Sequence, residues 1–155
     1  MEGARAATPD DIPRLAELCR GALAELEPGR GGALFVAREA RPEPIDDGLQ
    51  AELDAGHAVL AGTIDDVVVG YAVGHVEALR TGTNLGRITD LFVEAPARGV
   101  GVGEAMMGQL LTWFAARDCV GIDATALPGD RHTKNFFEAS GFTARLLVMH
   151  HRVEP

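Results

Sequence analysis

The chain has 155 residues, 46% of them hydrophobic and 24% charged, which is typical of one globular domain that buries its own core. A formal net charge of -9 disfavours a nucleic-acid partner, because phosphate binding needs basic patches. No apolar run approaches the roughly 20 residues that a membrane-spanning helix needs, and the first residues lack the pattern of a secretory signal peptide. We therefore expect one domain over residues 1–155, located in the cytoplasm, with neither a nucleic acid nor a membrane as partner.

The first part of the chain predicts helices. Thr8 is a suitable N-cap, Pro9 suits the first helical position, and apolar residues recur at helical spacing, so a helix is predicted over residues 9–27. A short second helix is predicted over residues 44–55. The state of residues 33–37 is left open, and irregular regions of this kind often carry substrate specificity.

Strands follow in the middle of the chain. Residues 58–64 and 67–79 predict two strands, and Asp65 and Asp66 between them predict the tight turn of an antiparallel hairpin. The remaining segments predict, in order, a strand over 88–93, a helix over 102–117, a strand over 120–127, a short helix ending near 139 and a final strand over 145–153. This order predicts an α/β protein with a mixed sheet and helices on its faces.

The segment that leads into the third predicted helix is rich in glycine and reads Arg-Gly-Val-Gly-Val-Gly over residues 98–103. Gly99, Gly101 and Gly103 let the backbone approach a ligand closely and adopt positive φ. The helix start presents unpaired N–H groups and the positive end of the helix dipole. Arg98 adds a planar guanidinium that suits a pyrophosphate. The segment therefore predicts a site for an anion.

Two common nucleotide-binding motifs do not fit this segment. A P-loop needs Gly-Lys-Ser/Thr, and the only lysine of the chain is Lys134. A dinucleotide fingerprint needs Gly-x-Gly-x-x-Gly, but the last glycine would fall on Glu104 counting from Gly99, and on Met106 counting from Gly101. A purely structural turn remains the alternative on the glycines alone.

Two stretches of the chain resemble one family. Residues 98–103 resemble motif A of the Gcn5-related N-acetyltransferase (GNAT) family, whose pattern is R/Q-x-x-G-x-G/A. Residues 88–93, followed by Pro96, look like the family's fourth strand, and residues 135–142 (Asn-Phe-Phe-Glu-Ala-Ser-Gly-Phe) are similar to its F-Y-E-x-x-G-F stretch. The predicted order of elements agrees over residues 5–153.

The resemblance implies the acyl-CoA N-acyltransferase fold, an α/β (α+β) arrangement whose mixed, mostly antiparallel sheet is splayed between strands 4 and 5 and flanked by helices. It also implies acetyl-CoA as the acyl donor, without a metal, with the pyrophosphate on the glycine-rich segment and the pantetheine arm along the fourth strand. The residues that it implies for CoA binding are Leu91, Phe92, Val93, Arg98, Gly99, Val100, Gly101, Val102 and Gly103.

The resemblance further implies an N-acetyltransferase that passes the acetyl group from acetyl-CoA to a primary amine by direct attack within a ternary complex. The amine-bearing acceptor, a small molecule or a protein, is not identified by any motif. Members of the family are often dimeric, so a homodimer is possible.

The family's usual general acid is missing. That acid is a tyrosine four residues before the C-terminal glycine of the second stretch, and this chain has Phe137 there. Three interpretations stay open: water or another residue protonates the leaving thiolate or it leaves unassisted, Tyr71 or Cys119 replaces the acid, or the protein is a non-catalytic or weakly active acyl-CoA-binding module.

Asp90 and Asp123 are the candidate catalytic bases. The attacking amine must be neutral, so a carboxylate or a chain of waters takes its proton, and each aspartate lies in a predicted strand next to the expected CoA position. An acid in a strand can instead hydrogen-bond to neighbouring groups. His75 and Glu77 could line an acceptor cleft or be exposed strand residues, and no histidine spacing indicates a metal site.

Overall fold

The computed structural model describes all 155 residues. A single five-stranded sheet, with its strands in chain order, forms the centre of the fold. The strands are β1 (Glu2–Ala6), β2 (Ala58–Ile64), β3 (Val67–Ala78), β4 (Asn84–Val93) and β5 (Cys119–Ala124). The helices are α1 (Ile12–Leu26), α2 (Gly32–Arg38), α3 (Ile45–Asp54), α4 (Val102–Ala115) and α5 (Arg131–Ala139), and 3-10 turns cover Pro9–Asp11 and Ala95–Ala97.

The sheet is open between its last two strands. β1 to β4 pair in antiparallel fashion, whereas β4 and β5 are parallel. Pairing with β5 ends at Ile88, which lies opposite Ala124, while residues 90–93 stay paired with β3 on their other side. The predicted mixed, mostly antiparallel sheet splayed between strands 4 and 5 is confirmed.

Each face of the sheet carries its own hydrophobic core. Val59 and Ala61 of β2 face the cluster formed with α1 and α3, and the alternate residues Ala58 and Leu60 face the cluster formed with α4. On the α4 side Phe114 is fully buried. These two layers hold β4 and α4 in a fixed relation, and the glycine-rich segment joins them.

Most elements confirm the sequence predictions. Helix α1 with its preceding 3-10 turn, and helix α3, occupy the predicted ranges, and the β2–β3 hairpin turns at Asp65 and Asp66, both with positive φ (47° and 68°). The undecided residues 33–37 lie in α2. Strand β1 was not predicted, since Glu-Gly-Ala-Arg-Ala contains no β-branched or aromatic residue and is a strand only through its pairing with β2.

The predicted final strand over residues 145–153 is wrong for this chain. Residues 143–155 contain no regular secondary structure and make no backbone hydrogen bond to the rest of the protein. A strand needs a neighbour to pair with, and the outer edge of β5 is not paired with this segment.

None of the helices combines the length and the hydrophobicity required to cross a bilayer.

Candidate functional site

The glycine-rich segment lies between β4 and α4. Gly99 and Gly101 adopt left-handed backbone conformations, with φ of 82° and 104°, which other residues rarely adopt. Gly101 is the N-cap of α4, and no side chain caps this helix. The first N–H groups of α4 therefore have no side-chain partner at the positive end of the helix dipole.

A ligand at the glycine-rich segment would contact mainly backbone atoms, because few side chains surround the segment. A Cβ atom on Gly103 would lie 3.1 Å from Cε1 of Phe136, so glycine lets α4 approach this ring of α5 closely. Val102 is buried in the core on the α4 face, whereas Val100 is exposed. A backbone site of this kind at a helix start is suited to a phosphate.

Arg98 connects the glycine-rich segment to β4 and α1 through hydrogen bonds. Its Nε donates to the carbonyl of Val93 at 2.7 Å, and its Nη2 donates to Glu25 in α1 at 2.7 Å. The guanidinium lies 5.3 Å from the centroid of the Phe92 ring. Part of the donor set that was expected to face a pyrophosphate is therefore occupied within the protein, and only Nη1 has no hydrogen-bond partner. The binding role of Arg98 stays a prediction.

Two adjoining cavities follow the unpaired part of β4. The loop cavity, about 140 Å³, is lined by the glycine-rich segment and the start of α4. The inner cavity, about 160 Å³, extends from β4 to α1 and to residues 125–127, which follow β5. The residues that line both are Leu91, Phe92, Arg98, His132 and Thr133. The two cavities therefore adjoin one another between β4 and the start of α5, and together they are called the cleft below.

The cleft brings together most of the residues predicted for CoA binding. All of them except Val100 line the loop cavity. The two candidate bases, by contrast, lie in different surroundings, because Asp90 lines the inner cavity and Asp123 lines neither cavity.

The polar groups of the inner cavity meet at Asp90. Arg41 donates to its carboxylate from Nη2 at 2.9 Å and from Nε at 3.3 Å, the Tyr71 hydroxyl donates at 2.8 Å and the Thr89 hydroxyl at 2.7 Å. The side chains of Arg41 and Asp90 are 10% and 9% exposed, so they form a buried ion pair. Burial and the negative charge of Asp90 raise the pKa of Tyr71 well above 10, so its hydroxyl keeps its proton.

Asp123 lies at the surface of β5. Arg145 donates to its carboxylate from Nε at 2.8 Å and again from Nη2. These hydrogen bonds lower the pKa of Asp123 below its ordinary value. Because Asp123 lines neither cavity, its carboxylate is poorly placed to take a proton from an amine bound in the cleft.

The structure separates the possible proton donors. Phe137 is buried and lines the inner cavity, so an apolar ring stands where the family's tyrosine was expected. Tyr71 lines the same cavity, whereas Cys119 lines neither cavity. His132 is exposed in the first turn of α5 and lines both cavities, and Arg41 reaches Asp90 from the irregular region after α2. The sequence offered no local signal for His132 or Arg41.

His75 and Glu77 do not line the cleft. His75 instead joins Glu52 and His57, and the potential ligand atoms of the three lie within 4.8 Å of one another, so this group could hold a metal ion. Glu52 is already paired with Arg41 at 3.3 Å and with His57 at 2.5 Å. The cluster was not visible in the sequence, because Glu52 belongs to the end of α3 and His57 to the loop after it, while His75 belongs to β3. The absence of a metal site stays a prediction.

Solved structures of other proteins share this fold. A mutant of the BH1408 protein from Bacillus halodurans matches with a TM-score of 0.83 and 21% identity, covering 97% of this chain and 99% of that chain. An acetyltransferase from Trypanosoma brucei matches with a TM-score of 0.71 and 21% identity, covering 99% and 100%. A ribosomal-protein-alanine N-acetyltransferase from Brucella melitensis biovar Abortus matches with a TM-score of 0.72 and 16% identity, again covering 99% and 100%. At these identities the likeness concerns the fold alone.

A search among curated proteins gives no significant match. The family model described as the acetyltransferase (GNAT) family matches residues 25–142, which is more than half of the chain. The splayed sheet, the glycine-rich helix start and this match agree with one another. The chain belongs to the GNAT family of acetyltransferases.

Proposed function

We propose that the protein is an N-acetyltransferase, which passes the acetyl group of acetyl-CoA to a primary amine by direct attack within a ternary complex. The observation that carries this proposal is the pair of adjoining cavities along the open edge of β4, with the glycine-rich start of α4 at one end and the polar cluster around Asp90 at the other. A donor with a pyrophosphate and a long arm that ends in a thioester requires both ends.

On the donor side, the backbone of residues 98–103 and the start of α4 would hold the pyrophosphate. Residues 91–93 lie in the part of β4 that does not pair with β5, so their backbone could pair with the two amide groups of the pantetheine arm. The carbonyl of Val93 already accepts from Arg98, which limits the pairing at that residue. When bound, acetyl-CoA would supply the acetyl group as a thioester.

On the acceptor side, we assign the proton-accepting role to Asp90 in preference to Asp123. Asp90 lines the inner cavity, and its carboxylate could bind and deprotonate the incoming ammonium if Arg41 or Thr89 gives up a hydrogen bond. The neutral amine would then form the C–N bond while the C–S bond breaks and CoA leaves as a thiolate. The acylated nitrogen would release its extra proton to water, and one proton in total ends on the thiolate. His132 lines both cavities and is the next candidate to accept the proton.

This protein departs from the family pattern because it lacks the tyrosine that usually protonates the leaving thiolate. Phe137 cannot donate a proton, and the raised pKa of Tyr71 makes this buried hydroxyl a weak acid. Water that enters the open cleft is the remaining donor, or the thiolate leaves without assistance. Slow turnover is the expected consequence.

Phe137 also favours a second candidate function, a non-catalytic or weakly active acyl-CoA-binding module. Such a protein would keep the donor side, which depends on the backbone of the glycine-rich segment, and lose the acid. It would bind acetyl-CoA without transferring the acetyl group. The two functions differ in a single measurable step.

Release of free CoA separates these functions. Wild-type protein is incubated with acetyl-CoA and a panel of small primary amines, N-terminal peptides and lysine peptides, and the thiol is measured with a thiol reagent. We expect at least one amine to accelerate thiol release above the rate with water alone. If acetyl-CoA raises the melting temperature but no amine accelerates release, the enzyme proposal fails and the binding module remains.

The acceptor, the compartment and the assembly stay predictions. The net charge of -9 mildly favours a cationic, amine-bearing acceptor over an anionic one. A cytoplasmic location is expected because acetyl-CoA is an intracellular metabolite. A homodimer is expected because members of the family are often dimeric.

A further inference from the structure

Glu52, His57 and His75 form a cluster of potential metal ligands outside the cleft. Each residue offers one ligand atom, and the three atoms lie within 4.8 Å of one another. None of the three residues lines either cavity. Two imidazoles with one carboxylate are a known ligand set for Zn²⁺, whereas a group of surface acids alone would indicate no particular ion.

The end of α3 holds Glu52 and His57 together. The N–H of His57 donates to the carbonyl of Glu52 at 3.1 Å, and the N–H of Gly56 donates to the carbonyl of Leu53 at 3.0 Å. This pair of hydrogen bonds is a Schellman motif, and Gly56 supplies the positive φ of 75° that the motif requires. The backbone therefore fixes both residues, and Nδ1 of His57 lies 2.5 Å from Oε2 of Glu52.

The register of the sheet brings His75 to the same place. Ala58 of β2 lies opposite Gly74 of β3. Because the two strands are antiparallel, the next residues outward from this pair, His57 and His75, are cross-strand neighbours. Their ring centroids are 5.4 Å apart. Two separate backbone features, a helix end and a strand register, therefore position the three side chains before any ion binds.

One ring nitrogen of this cluster has no partner. Nδ1 of His75 is buried and makes no hydrogen bond. Buried polar atoms in folded proteins nearly always have a partner, so such an atom indicates a water or an ion that completes the site. Coordination of a metal by Nδ1 would give this atom a partner. This observation is independent of the spacing of the three residues.

Glu52 is oriented as a metal-binding carboxylate usually is. Its Oε1 accepts from Nη1 of Arg41 at 3.3 Å, which leaves Oε2 on the side of His57. Carboxylates that bind a metal are commonly held by a hydrogen bond of this kind to an outer residue. The side chains of Glu52 and His57 are 19% and 37% exposed, so water can reach the cluster from one side.

We propose that Glu52, His57 and His75 bind one Zn²⁺ ion, with water as the fourth ligand. Imidazole nitrogens favour Zn²⁺ over Mg²⁺, which prefers oxygen ligands. The ion would replace the hydrogen bond between His57 and Glu52 and would connect the end of α3 to β3. This site takes the place of the sequence-based expectation that the chain holds no metal, and it serves no step of the proposed reaction.

Zinc binding by the metal-free protein is the first test. Protein treated with EDTA is titrated with ZnCl₂ by calorimetry, and we expect one ion to bind per chain. At about 100 times the Kd, Zn²⁺ should raise the melting temperature by about 5 °C or more, whereas MgCl₂ at the same concentration should not. His57→Gln and His75→Gln should each weaken Zn²⁺ binding by about 100-fold or more, because the loss of even an outer partner costs 10–100-fold.

A matched control removes two histidines from another place. His150 and His151 are exposed in the C-terminal segment, and the double variant His150→Gln with His151→Gln should bind Zn²⁺ as the wild type does. Circular dichroism of each metal-free variant checks the fold. His57 is the more exposed ligand of the sheet pair that was argued above, so His57→Gln decides the test if His75→Gln does not fold.

Cobalt spectroscopy identifies the ligands in the wild type, without any substitution. Co²⁺ in place of Zn²⁺ should give the visible absorption of a four-coordinate ion without a charge-transfer band from a thiolate. A wild type that neither binds Zn²⁺ nor is stabilised by it would overturn the proposal. So would wild-type affinity in His57→Gln, or a thiolate band, which would move the ion to Cys119. No acetyl-CoA or amine is present in these measurements, so their outcome is independent of the proposed acetyl transfer.

Discussion

The two ends of the cleft are built in different ways. The loop cavity is lined mainly by two local stretches, residues 91–93 of β4 and, except for Val100, residues 97–104 around the start of α4. At the inner cavity, the polar centre combines Arg41 from the region after α2, Tyr71 from β3 and Asp90 from β4. The first end depends on backbone conformation, and the second depends on side chains that only the fold brings together.

This difference has a consequence for how each end tolerates change. At the loop end, a substitution should weaken ligand binding if the new residue cannot adopt positive φ or adds negative charge. Substitutions there should leave the fold intact. The inner end holds a buried ion pair, so its residues should contribute to folding as well as to chemistry. Substitutions at the two ends should therefore separate binding from stability.

The largest effect is expected for Asp90→Ala. Removing one partner of a buried ion pair leaves Arg41 with only Glu52 as an ionic partner, and losses of this kind cost about 3–5 kcal/mol in the free energy of unfolding. Urea denaturation at neutral pH measures this loss. Turnover should fall as well, by a factor of about 10²–10⁴ if Asp90 is the base.

A double variant serves as the control for Asp90→Ala. Replacing both partners by apolar residues of similar size, Arg41→Met with Asp90→Leu, should cost less than Asp90→Ala alone, because it also removes the buried guanidinium that Asp90→Ala leaves with Glu52 as its only ionic partner. The Tyr71 hydroxyl loses its acceptor in both variants, and Glu52 keeps its contact with His57 in the double variant. If Asp90→Ala leaves the free energy of unfolding within about 0.5 kcal/mol of wild type, the ion pair is not formed in solution and the contrast between the two ends fails.

The next largest effect is expected for Gly101→Asp. An aspartate there must adopt a φ of 104°, and its carboxylate would repel the pyrophosphate. At a concentration 100 times its Kd, acetyl-CoA should stabilise the wild type by about 2.7 kcal/mol, which corresponds to roughly 5–10 °C in melting temperature for a chain of this size. Gly101→Asp should abolish that shift.

Gly108→Asp is the matched control for Gly101→Asp. It introduces the same side chain on the same helix, at an exposed position with open space around its Cβ and away from the cleft. Its melting temperature should rise with acetyl-CoA as in the wild type. An acetyl-CoA shift that persists in Gly101→Asp would mean that the glycine-rich turn is only structural.

The same contrast explains what the sequence could predict. Helix α1 and the glycine-rich segment were recognisable because their signals, the Thr8–Pro9 start and the spacing of Arg98 to Gly103, are local. The partner of Asp90 was not recognisable, because Arg41 lies 49 positions away in an irregular region. Asp90 and Asp123 looked equivalent in the sequence, and only the fold shows that one is buried with an arginine and the other is at the surface.

Pairing between distant segments also limited the prediction of strands. β1 has weak strand propensity and is formed by its register with β2, in which Glu2 lies opposite Ile64. Residues 145–153 have strong strand propensity and no partner within the chain. Strand propensity therefore missed β1 and predicted a strand over residues 145–153 that is not formed. Strand formation depends on a neighbouring strand that the local sequence does not contain.

A moderate effect is expected for Phe137→Tyr, in the inner cavity. Phe137 lines the inner cavity, and a hydroxyl there would restore the acid that the family usually has at this position. We expect kcat to rise by about tenfold or more, while the Kd for acetyl-CoA changes little. Steady-state kinetics and thermal shift measure the two quantities. An unchanged kcat in an active enzyme would show that protonation of the thiolate does not limit turnover.

The smallest effect is expected for Asp123→Asn, which tests whether the acceptor side is confined to the cleft. Turnover at neutral pH should stay within about twofold of wild type, since Asp123 lines neither cavity. Its ion pair with Arg145 is largely exposed and should contribute less than about 1 kcal/mol to stability.

Because the pKa of Asp123 is lowered in the folded state, this contribution should be present above the ordinary aspartate pKa of about 3.9 and disappear as the pH falls below it. Urea denaturation of both proteins at pH 7 and near pH 2.5 should therefore show a small difference at pH 7 that shrinks in acid, whereas a tenfold loss of turnover would make Asp123 the base and move the acceptor side to β5.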